Sequence, residues 1–485
     1  MTKKIFYPGI FIPAFLICLV QIASFDLPWH LQIGKILFES GNILHQNRFS
    51  WTHPELFWTP TYWLFEGIVY LLYSISGYTG LILFKALITG VTYSLLASYC
   101  SSAMNRTLCF FIFIAILDIS VFRFLLRPHL FTLFGLAILI RFTYSLNDVG
   151  SPLKLFLKFF FLFLLWSNLH SGVLIGLAYL VIILFVPEKD FSFSMRNRII
   201  LFLVSLSACF MNPAGGGLFT YVYDHLNLDS IQMVEEFHPL QMTLHLKEGI
   251  LVYSFILVPL ILMLVQKKIS LRYWTIAFLN IYLVNKGIRF IPEVSLLSLP
   301  GMVHAFSDPA YKGRIKAMTT HPVSFETLLG LLFAVYMHLY VFTLPQSYFK
   351  TGFGLHEGSF PIQASDHMNP EKIKRLYNSF SSGGYLIWKF NEKIKVFQDG
   401  RIHAYPFSFW KKISGAQEDE TQWPALMKEY DFDSMLFNKS EDPPFMWQNL
   451  DKKKWEIVFE DDFFILAQRR RGAEKDKQDS SFHSK

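Results

Sequence analysis

Phe25-Asp26-Leu27-Pro28-Trp29-His30 is the first polar stretch of this chain, and it directly follows an apolar run, Ile5–Ser24. An apolar run of that length can span a bilayer. The polar stretch then places a carboxylate and an imidazole at the boundary between water and lipid, where tryptophan is also favoured. Because ionisable groups at that depth are costly, they indicate function. A cleaved signal peptide is the alternative, but no small-residue cleavage site precedes Asp26, which favours a retained span.

The composition is typical of an integral membrane protein. Apolar residues make up 52% of the 485 residues and charged residues only 17%, whereas a soluble chain carries about a quarter. Apolar stretches recur from Ile5 to Leu344, which predicts a polytopic α-helical membrane protein. The net charge of +7 is explained by cytoplasmic loops and a basic tail, so no nucleic-acid partner is predicted. The four cysteines form no CxxC pair, which predicts neither disulfides nor a thiolate metal site.

The apolar runs predict about eleven transmembrane helices. Their approximate bounds are 5–25, 79–100, 107–124, 129–146, 154–169, 172–187, 199–211, 250–266, 272–286, 291–306 and 323–344. With the N-terminus inside, the inner segments hold fifteen Lys and Arg and the outer loops hold seven. Because basic residues are enriched on the cytoplasmic side, this distribution predicts an inner N-terminus and, with an odd number of spans, an outer C-terminal domain.

The chain divides into three predicted parts. Residues 1–344 form the transmembrane region, and its large first outer loop, 26–62, contains a helical pattern suited to the membrane surface. The apolar stretch Trp63–Ser76 is short for a span and predicts a second interfacial or partly inserted helix. In residues 345–468 strand-like and helix-like runs alternate, which predicts a small α/β domain. The charged tail, 469–485, is predicted to be disordered.

Within the α/β domain the patterns predict individual elements. The helix-like runs are 371–380, 421–430 and 444–450. The strand-like runs are 384–389, 393–399, 434–437 and 455–468.

Polar residues collect on the predicted outer face. Eight of the eleven histidines before Leu344 lie there, namely His30, His45, His53, His129, His170, His225, His238 and His245. Polar clusters also end several spans on that face, among them Arg127-Pro128-His129, Asn168-Leu169-His170, Asn212-Pro213, Glu235-Glu236-Phe237-His238 and Lys286-Gly287-Ile288-Arg289. Each cluster alone is a weak signal, but together they predict one site that faces outward.

Asp26, His30 and Glu66 are the candidate catalytic residues. Asp26 and His30 are four residues apart, so in a helix they share a face. One of them could take a proton while the other orients it or binds an anion. The alternative is that Asp26 only caps the helix that follows, which Pro28 would also suit. The sequence leaves both interpretations open.

Arg127 and Arg289 are candidates for binding a phosphate, because the planar guanidinium makes two parallel hydrogen bonds. The other candidate substrate-binding residues are His129, His170, Asn212, Glu235, Glu236 and His238. The alternative for the arginines is that they extend to lipid headgroups.

Two metal-like patterns are set aside. Asp431-Phe432-Asp433 has the DxD form, but it precedes a strand in a domain too small for a nucleotide-binding fold. His30, His45 and His53 match no familiar zinc spacing. No particular cofactor is predicted, and a need for a divalent cation stays open.

Several motifs together resemble a known family of membrane enzymes. They are Asp26–Gly34, Phe49–Thr52, Trp63–Glu66, Arg127–His129, Asn168–His170, Asn212-Pro213, Gly383–Trp388 and Phe397–Arg401. The chain is similar to bacterial multi-spanning glycosyltransferases of the GT-C type, related to the protein mannosyltransferase and lipid A aminoarabinose transferase group. It departs from the family pattern at Asn47, where an acidic residue is usual, and at Ser171, where a glycine is frequent.

The resemblance implies a hexosyltransferase in the bacterial cytoplasmic membrane, surrounded by membrane lipids. Its donor would be a sugar on a polyprenyl phosphate, and its acceptor a lipid, a glycan or a protein at the outer face. The resemblance also assigns the catalytic role to the acidic residue that opens the first outer loop, here Asp26. A non-catalytic assembly or scaffold protein of envelope glycan biogenesis and a transporter or flippase remain as alternatives.

Overall fold

The computed structural model describes residues 6–148, 151–189, 191–227, 234–242, 244–307, 323–344 and 349–470. Lys3, Lys4 and the basic residues of the inner loop 308–322, which entered the orientation argument, lie outside these residues. The predicted disordered tail also lies outside them from residue 471 onward.

Helices make up most of the described chain. Those of the N-terminal region are α1 (Pro8–Leu16), α2 (Leu27–Ser40), α3 (Trp63–Ala103), α4 (Arg106–Ser120), α5 (His129–Tyr144), α6 (Pro152–Leu169), α7 (Val173–Phe185), α8 (Met195–Phe210), α9 (Gly217–Asn227), α10 (Leu246–Val265), α11 (Leu271–Lys286), α12 (Ile291–Phe306) and α13 (Val323–Leu339). Each predicted span contains one of them. Buried apolar side chains from most of these helices form one large core, and others from α2, α3 and α5 form a second, smaller cluster.

Several of these helices are suited to a membrane. Among the described residues four are long and apolar enough to cross one, namely Trp63–Ala103, Pro152–Leu169, Leu246–Val265 and Phe325–Thr343. His129–Tyr144 and Val173–Phe185 are apolar but shorter. The structure therefore agrees with a helical membrane protein, and the number of eleven spans stays a prediction.

The first predicted span is too long. Helix α1 ends at Leu16, and the chain that follows is extended. The Gln21 amide donates to the Lys350 carbonyl at 2.8 Å and the Ile22 amide to the Gly354 carbonyl at 2.9 Å. The start of the C-terminal region thus pairs with these residues, a long-range contact that an apolar pattern does not reveal.

The stretch Trp63–Ser76 is helical, as predicted. Within α3 it meets the next span at Gly77, where the backbone leaves the helical conformation with a φ of +59° and a ψ of −157°, so α3 consists of two helices joined by a kink. Glycine tolerates a positive φ because it has no Cβ. The break that the sequence indicates is therefore confirmed, and the interfacial or partly inserted position of the first helix stays a prediction.

Helix α2 confirms the predicted helical pattern in the first outer loop, and Gly41 ends it with φ +69°. All residues from Leu27 to Gly34 are buried inside the protein. A Cβ at Gly34 would overlap the Glu66 carbonyl, so α2 approaches α3 closely. The first half of α2 is therefore packed inside the protein, and its position at the membrane surface stays a prediction.

The C-terminal region is a small α/β unit. Its strands are β1 (Leu376–Asn378), β2 (Ser434–Asn438), β3 (Trp455–Glu460) and β4 (Phe464–Arg469), and its helices are α14 (Ile362–Asp366), α15 (Phe380–Phe390), α16 (Phe407–Glu418), α17 (Trp423–Tyr430) and α18 (Phe445–Gln448). The sheet order is β1-β2-β4-β3, with β1 parallel to β2 and the other pairs antiparallel.

Some of the elements predicted for this unit are wrong. The run 371–380 holds strand β1, the run 384–389 belongs to helix α15, the run 393–399 holds no strand, and the run 455–468 is a hairpin of two strands. Helix α15 forms because Glu441 accepts from the Phe380 amide at 2.5 Å and from the Ser381 amide at 3.1 Å. This capping comes from a residue far along the chain.

The first outer loop and the C-terminal unit share one hydrophobic core. Trp29, Ile33, Phe49 and Trp58 of the loop pack with the buried apolar residues of the sheet and its helices. The Val396 amide donates to the Phe49 carbonyl at 3.0 Å. The loop that carries Asp26 is therefore held by the C-terminal unit, which positions the site described next.

Candidate functional site

A cavity of about 490 Å³ lies between the helical region and the C-terminal unit. Its walls come from the start of α2, the turns before α5 and after α6, the Glu235–Phe237 turn, the turn before α12, and residues 400–403. It is the meeting point of most of the polar clusters that the sequence places on the outer face. Its size is typical of small-molecule sites.

Asp26 lies on the wall of this cavity and does not cap a helix. Its side chain makes no capping hydrogen bond to α2. Its carboxylate instead pairs with the Arg127 Nε at 3.1 Å and accepts from the Trp29 indole at 3.2 Å. The capping interpretation of Asp26 is thus wrong, and an acidic group faces a cavity beside a fixed cation.

Three arginines surround a second carboxylate in the same cavity. Glu236 is paired with Arg123 at 2.5 Å, with Arg127 at 3.4 Å and with Arg289 at 3.5 Å. Arg123 is almost fully buried, and Arg127 and Arg289 are 11% and 17% exposed. The Arg289 guanidinium also lies 4.3 Å from the centre of the Phe237 ring. This arrangement favours anions, because the guanidinium groups are fixed by packing and poorly solvated.

His30 also reaches the cavity, but Glu66 lies behind it. The His30 Nδ1 is 3.1 Å from the Glu66 Oε1, and both side chains are 2% exposed. His30 is among the cavity-lining residues and Glu66 is not. A glutamate in this position can orient the imidazole, so Glu66 is placed as a supporting residue rather than one that meets a substrate.

The C-terminal unit supplies one wall of the site. A Cβ at Gly400 would overlap the Asp26 Oδ1, and a Cβ at Gly384 would lie 2.5 Å from the Phe25 carbonyl. Next to Gly400, the buried Arg401 makes two hydrogen bonds to Asp399, at 2.7 and 2.8 Å. Arg401 also donates to Asn47 at 2.7 Å. The glycines thus permit close contact, and this ion pair fixes the wall.

Asn47 occupies the position at which the related family usually has an acidic residue. Its Oδ1 accepts from Arg401, and its Nδ2 donates to the Ala404 carbonyl at 2.8 Å. An amide can both accept and donate, so Asn47 links the first outer loop to the C-terminal wall without a charge.

Two histidines join the wall to helix α9. The His225 Nδ1 and the His403 Nε2 are 2.6 Å apart, and both residues line the cavity. Burial lowers the pKa of His403 to about 4 and that of His225 well below its ordinary value. Both imidazoles are therefore neutral at neutral pH, which permits a single N–H···N hydrogen bond between them.

The pKa values of the two cavity carboxylates, Asp26 and Glu236, are shifted in opposite directions. Burial raises the pKa of Asp26, and the neighbouring Arg127 only partly offsets this. Burial also acts to raise the pKa of Glu236, but Arg123, Arg289 and Arg127 outweigh it and hold the pKa well below its usual range. Asp26 is therefore the better proton acceptor of the two.

The structure does not bring every candidate residue to the cavity. Arg127, His129, His170, Glu235, Glu236 and Arg289 line it together with Asp26 and His30. Asn212 and His238 do not. Asn212 accepts from the Ala214 amide at 2.9 Å and donates to the Cys209 carbonyl at 2.6 Å, so it shapes the turn after α8.

Some cavity residues were not among the candidates. Arg123 and His225 lie on the predicted outer side, and that predicted location was their only signal in the sequence. Arg401 ends the Phe397–Arg401 motif and His403 lies two residues after it, but nothing in the sequence indicated that this segment contacts Asp26. Within the described residues no group of three or more His, Cys, Asp or Glu side chains is placed to hold a metal ion.

No family model matches this sequence, and no curated protein matches it closely enough to indicate a relative. Solved structures do match this chain. An oligosaccharyltransferase from Archaeoglobus fulgidus, tethered by a disulfide bond to an acceptor peptide containing the NVT sequon, superposes with a TM-score of 0.51 at 10% sequence identity. The match covers 90% of this chain and 69% of that chain. The apo form of that protein gives a TM-score of 0.47 at 10% identity, covering 90% and 70%.

The match to the peptide-tethered structure shows a shared fold. The chain thus shares the fold of that oligosaccharyltransferase, which agrees with the GT-C type of fold that the motifs predicted. At 10% identity the likeness extends to the fold alone. The chemistry of this chain must therefore be argued from its own cavity.

Proposed function

We propose that this protein is an integral-membrane glycosyltransferase that moves a sugar from a polyprenyl-phosphate carrier to an acceptor at the outer face of the bacterial cytoplasmic membrane. The observation that carries the proposal is the cavity in which Asp26 pairs with Arg127, and which Arg123 and Arg289 also line. Transfer of a sugar from a phosphate leaving group needs a proton acceptor for the attacking hydroxyl and fixed cations for the departing phosphate.

The proposed reaction has one bond-forming and one bond-breaking event. The oxygen of an acceptor hydroxyl forms a bond to the anomeric carbon of the sugar, and the bond between that carbon and the phosphate oxygen breaks. Its electron pair leaves with the polyprenyl phosphate, whose charge the arginines stabilise. The hydroxyl proton passes to Asp26. The acceptor class, whether lipid, glycan or protein, is not part of this proposal.

A deletion strain tests the proposal in cells. If the protein consumes a lipid-borne sugar, the polyprenyl-phosphate sugar accumulates when the gene is deleted, and mass spectrometry of the lipid extract detects it. Unchanged polyprenyl lipids in the deletion strain would contradict the proposal and favour a scaffold role.

The role of Arg127 predicts a graded response to substitution. Arg127→Lys is expected to lower kcat/KM about tenfold, because a point charge replaces a two-pronged donor. Arg127→Ala should lower it by about 10²–10³-fold, because developing negative charge is left unmatched. The measurement is the transfer rate at limiting donor concentration.

Arg48→Lys is the matched control. Arg48 is paired with Glu392 at 2.7 Å, is 51% exposed and does not line the cavity. If Arg127→Lys behaved like Arg48→Lys, Arg127 would be a structural or headgroup-binding residue, and the proposed phosphate site would lose its central member.

The proposed location of the site at the outer face predicts the side of the membrane on which each loop lies. Reporter fusions after Lys189 and Lys316 should read cytoplasmic, and fusions after Leu240 and Ser359 should read outside, as the distribution of basic residues indicates. A C-terminal domain found in the cytoplasm would move the cavity to the side where sugar nucleotides are present, and it would overturn the lipid-linked donor.

A further inference from the structure

The cluster formed by Arg123, Arg127, Arg289 and Glu236 combines three cations with one anion at a single point. Arg123 and Arg127 come from the segment between α4 and α5, and Arg289 comes from the turn before α12. Each has a nitrogen within 3.5 Å of a Glu236 carboxylate oxygen. Like charges at such separations repel strongly where water is scarce. Glu236 contacts all three groups and offsets this repulsion, and Asp26 also pairs with Arg127.

The backbone that carries Glu236 is fixed. A Cβ at Gly287 would lie 2.8 Å from the Glu236 carbonyl and 2.9 Å from the Phe237 Cα, so the two turns are in close contact. The Ile288 amide donates to the His238 carbonyl at 2.9 Å, which ties the same two turns together. Displacement of the whole Glu236 turn would break these contacts.

The side chain of Glu236, by contrast, can leave the cluster by rotation. It is 24% exposed, whereas the Arg123 side chain that holds it most closely is 2% exposed. The ion pair of each arginine with the carboxylate is made through its Nη1. Guanidinium groups bind phosphate through two nitrogens at once, and phosphate offers more oxygens than a carboxylate.

We propose that the Glu236 carboxylate occupies the position that the phosphate of the donor takes, and that phosphate binding displaces it. Glu236 then keeps the three arginines converged in the empty site and competes with the donor for them. Arg123 becomes the third arginine of the phosphate site. This inference rests on the proposed function, because it names the place of the donor's phosphate within that site.

The competition can be measured with a short lipid phosphate. Farnesyl monophosphate binding to the purified full-length protein in detergent is measured by calorimetry, with farnesol as the uncharged comparison. Glu236→Gln removes the internal anion, so farnesyl monophosphate should bind about tenfold more tightly than to the wild type. Glu236→Asp, whose shorter side chain cannot reach all three arginines, should also bind more tightly.

Asp224→Asn is the matched control, because it removes one negative charge from α9 close to the cavity. Asp224 is exposed and does not line the cavity. Its substitution should change binding far less than that of Glu236, since it tests only the long-range effect of the lost charge.

The outcomes separate this inference from the proposed function. Equal or weaker binding by Glu236→Gln and Glu236→Asp, with wild-type binding intact, would make Glu236 a permanent organiser of the arginines and overturn the displacement alone. Binding by Glu236→Gln but not by the wild type would support it. If neither protein distinguished farnesyl monophosphate from farnesol, the phosphate site itself would be overturned, and the proposed function with it.

Discussion

Asp26→Asn is expected to abolish sugar transfer, by about 10²–10⁴-fold or more, while expression and membrane insertion stay close to the wild type. An amide has the size of the carboxylate, and its one oxygen can still accept from Trp29 or from Arg127, but it cannot take a proton at neutral pH. The measurement is the transfer rate at saturating donor, together with the amount of folded protein in the membrane fraction.

The pH dependence gives the same test a second form. Burial raises the pKa of Asp26 above the ordinary aspartate range. The ionised carboxylate is the active form, so activity is present above this raised pKa and is lost as the pH falls through it. The acid limb of the rate profile should therefore lie above about pH 4, the usual aspartate value.

Asp118→Asn is the control for the loss of an ion-paired carboxylate. Asp118 pairs with Lys247 at 3.0 Å and does not line the cavity. Retained transfer by Asp26→Asn would remove Asp26 from the chemistry. It would leave His30, supported by Glu66, as the proton acceptor in the same cavity.

Gly400→Ala should have a comparably large effect, although it changes one methyl group outside the helical region. The new Cβ would overlap the Asp26 Oδ1 and lie 3.2 Å from the Phe25 ring. Either the carboxylate leaves its position beside Arg127, or the C-terminal wall moves away from the cavity. Since a displacement of about 1 Å can cost 10²-fold in rate, transfer should fall by about that factor or more.

Gly415→Ala is the matched control within the C-terminal unit. Its added Cβ would meet only the end of the Gln422 side chain, which can move. Alanine is also favoured over glycine inside a helix, and Gly415 lies in α16. Normal transfer by Gly400→Ala would show that the C-terminal unit does not form a wall of the active site.

The sequence predicted that most of its polar clusters lie on one face of the helical region, because each signal there is local. An apolar run followed by Asp26, and arginine at the outer ends of later spans, requires only that the spans alternate in direction. Arg127 and Arg289 meet in one cavity although they are far apart in the chain. Alternation of the spans was enough to place them on the same face.

The parts that depend on contacts between distant segments could not be predicted. Helix α15 was taken for a strand because its apolar pattern is short and its cap, Glu441, is supplied from elsewhere. Gly400 and His403 reach the cavity only because the C-terminal unit shares a core with the first outer loop. Neither segment, taken alone, carries a signal that it packs against the other.

The role of individual polar residues was equally hidden. Asn212 and Arg127 both follow apolar runs at the outer face, yet one shapes a turn and the other pairs with Asp26. Glu235 and Glu236 are neighbours, but Glu236 alone of the two is paired with the three arginines. Which of the two glutamates faces the arginines depends on how this turn packs on Gly287. The periodicity of the sequence does not reveal that contact.

The central claim, cleavage of a lipid-linked sugar in the Asp26 cavity, is tested most directly in proteoliposomes. Purified protein is supplied with a polyprenyl-phosphate sugar labelled in the sugar, together with membrane extract as the source of acceptor. The wild type should release polyprenyl phosphate in step with transfer of the label, and Asp26→Asn should do neither. Movement of the intact labelled lipid across the bilayer without cleavage would contradict the account and identify a transporter instead.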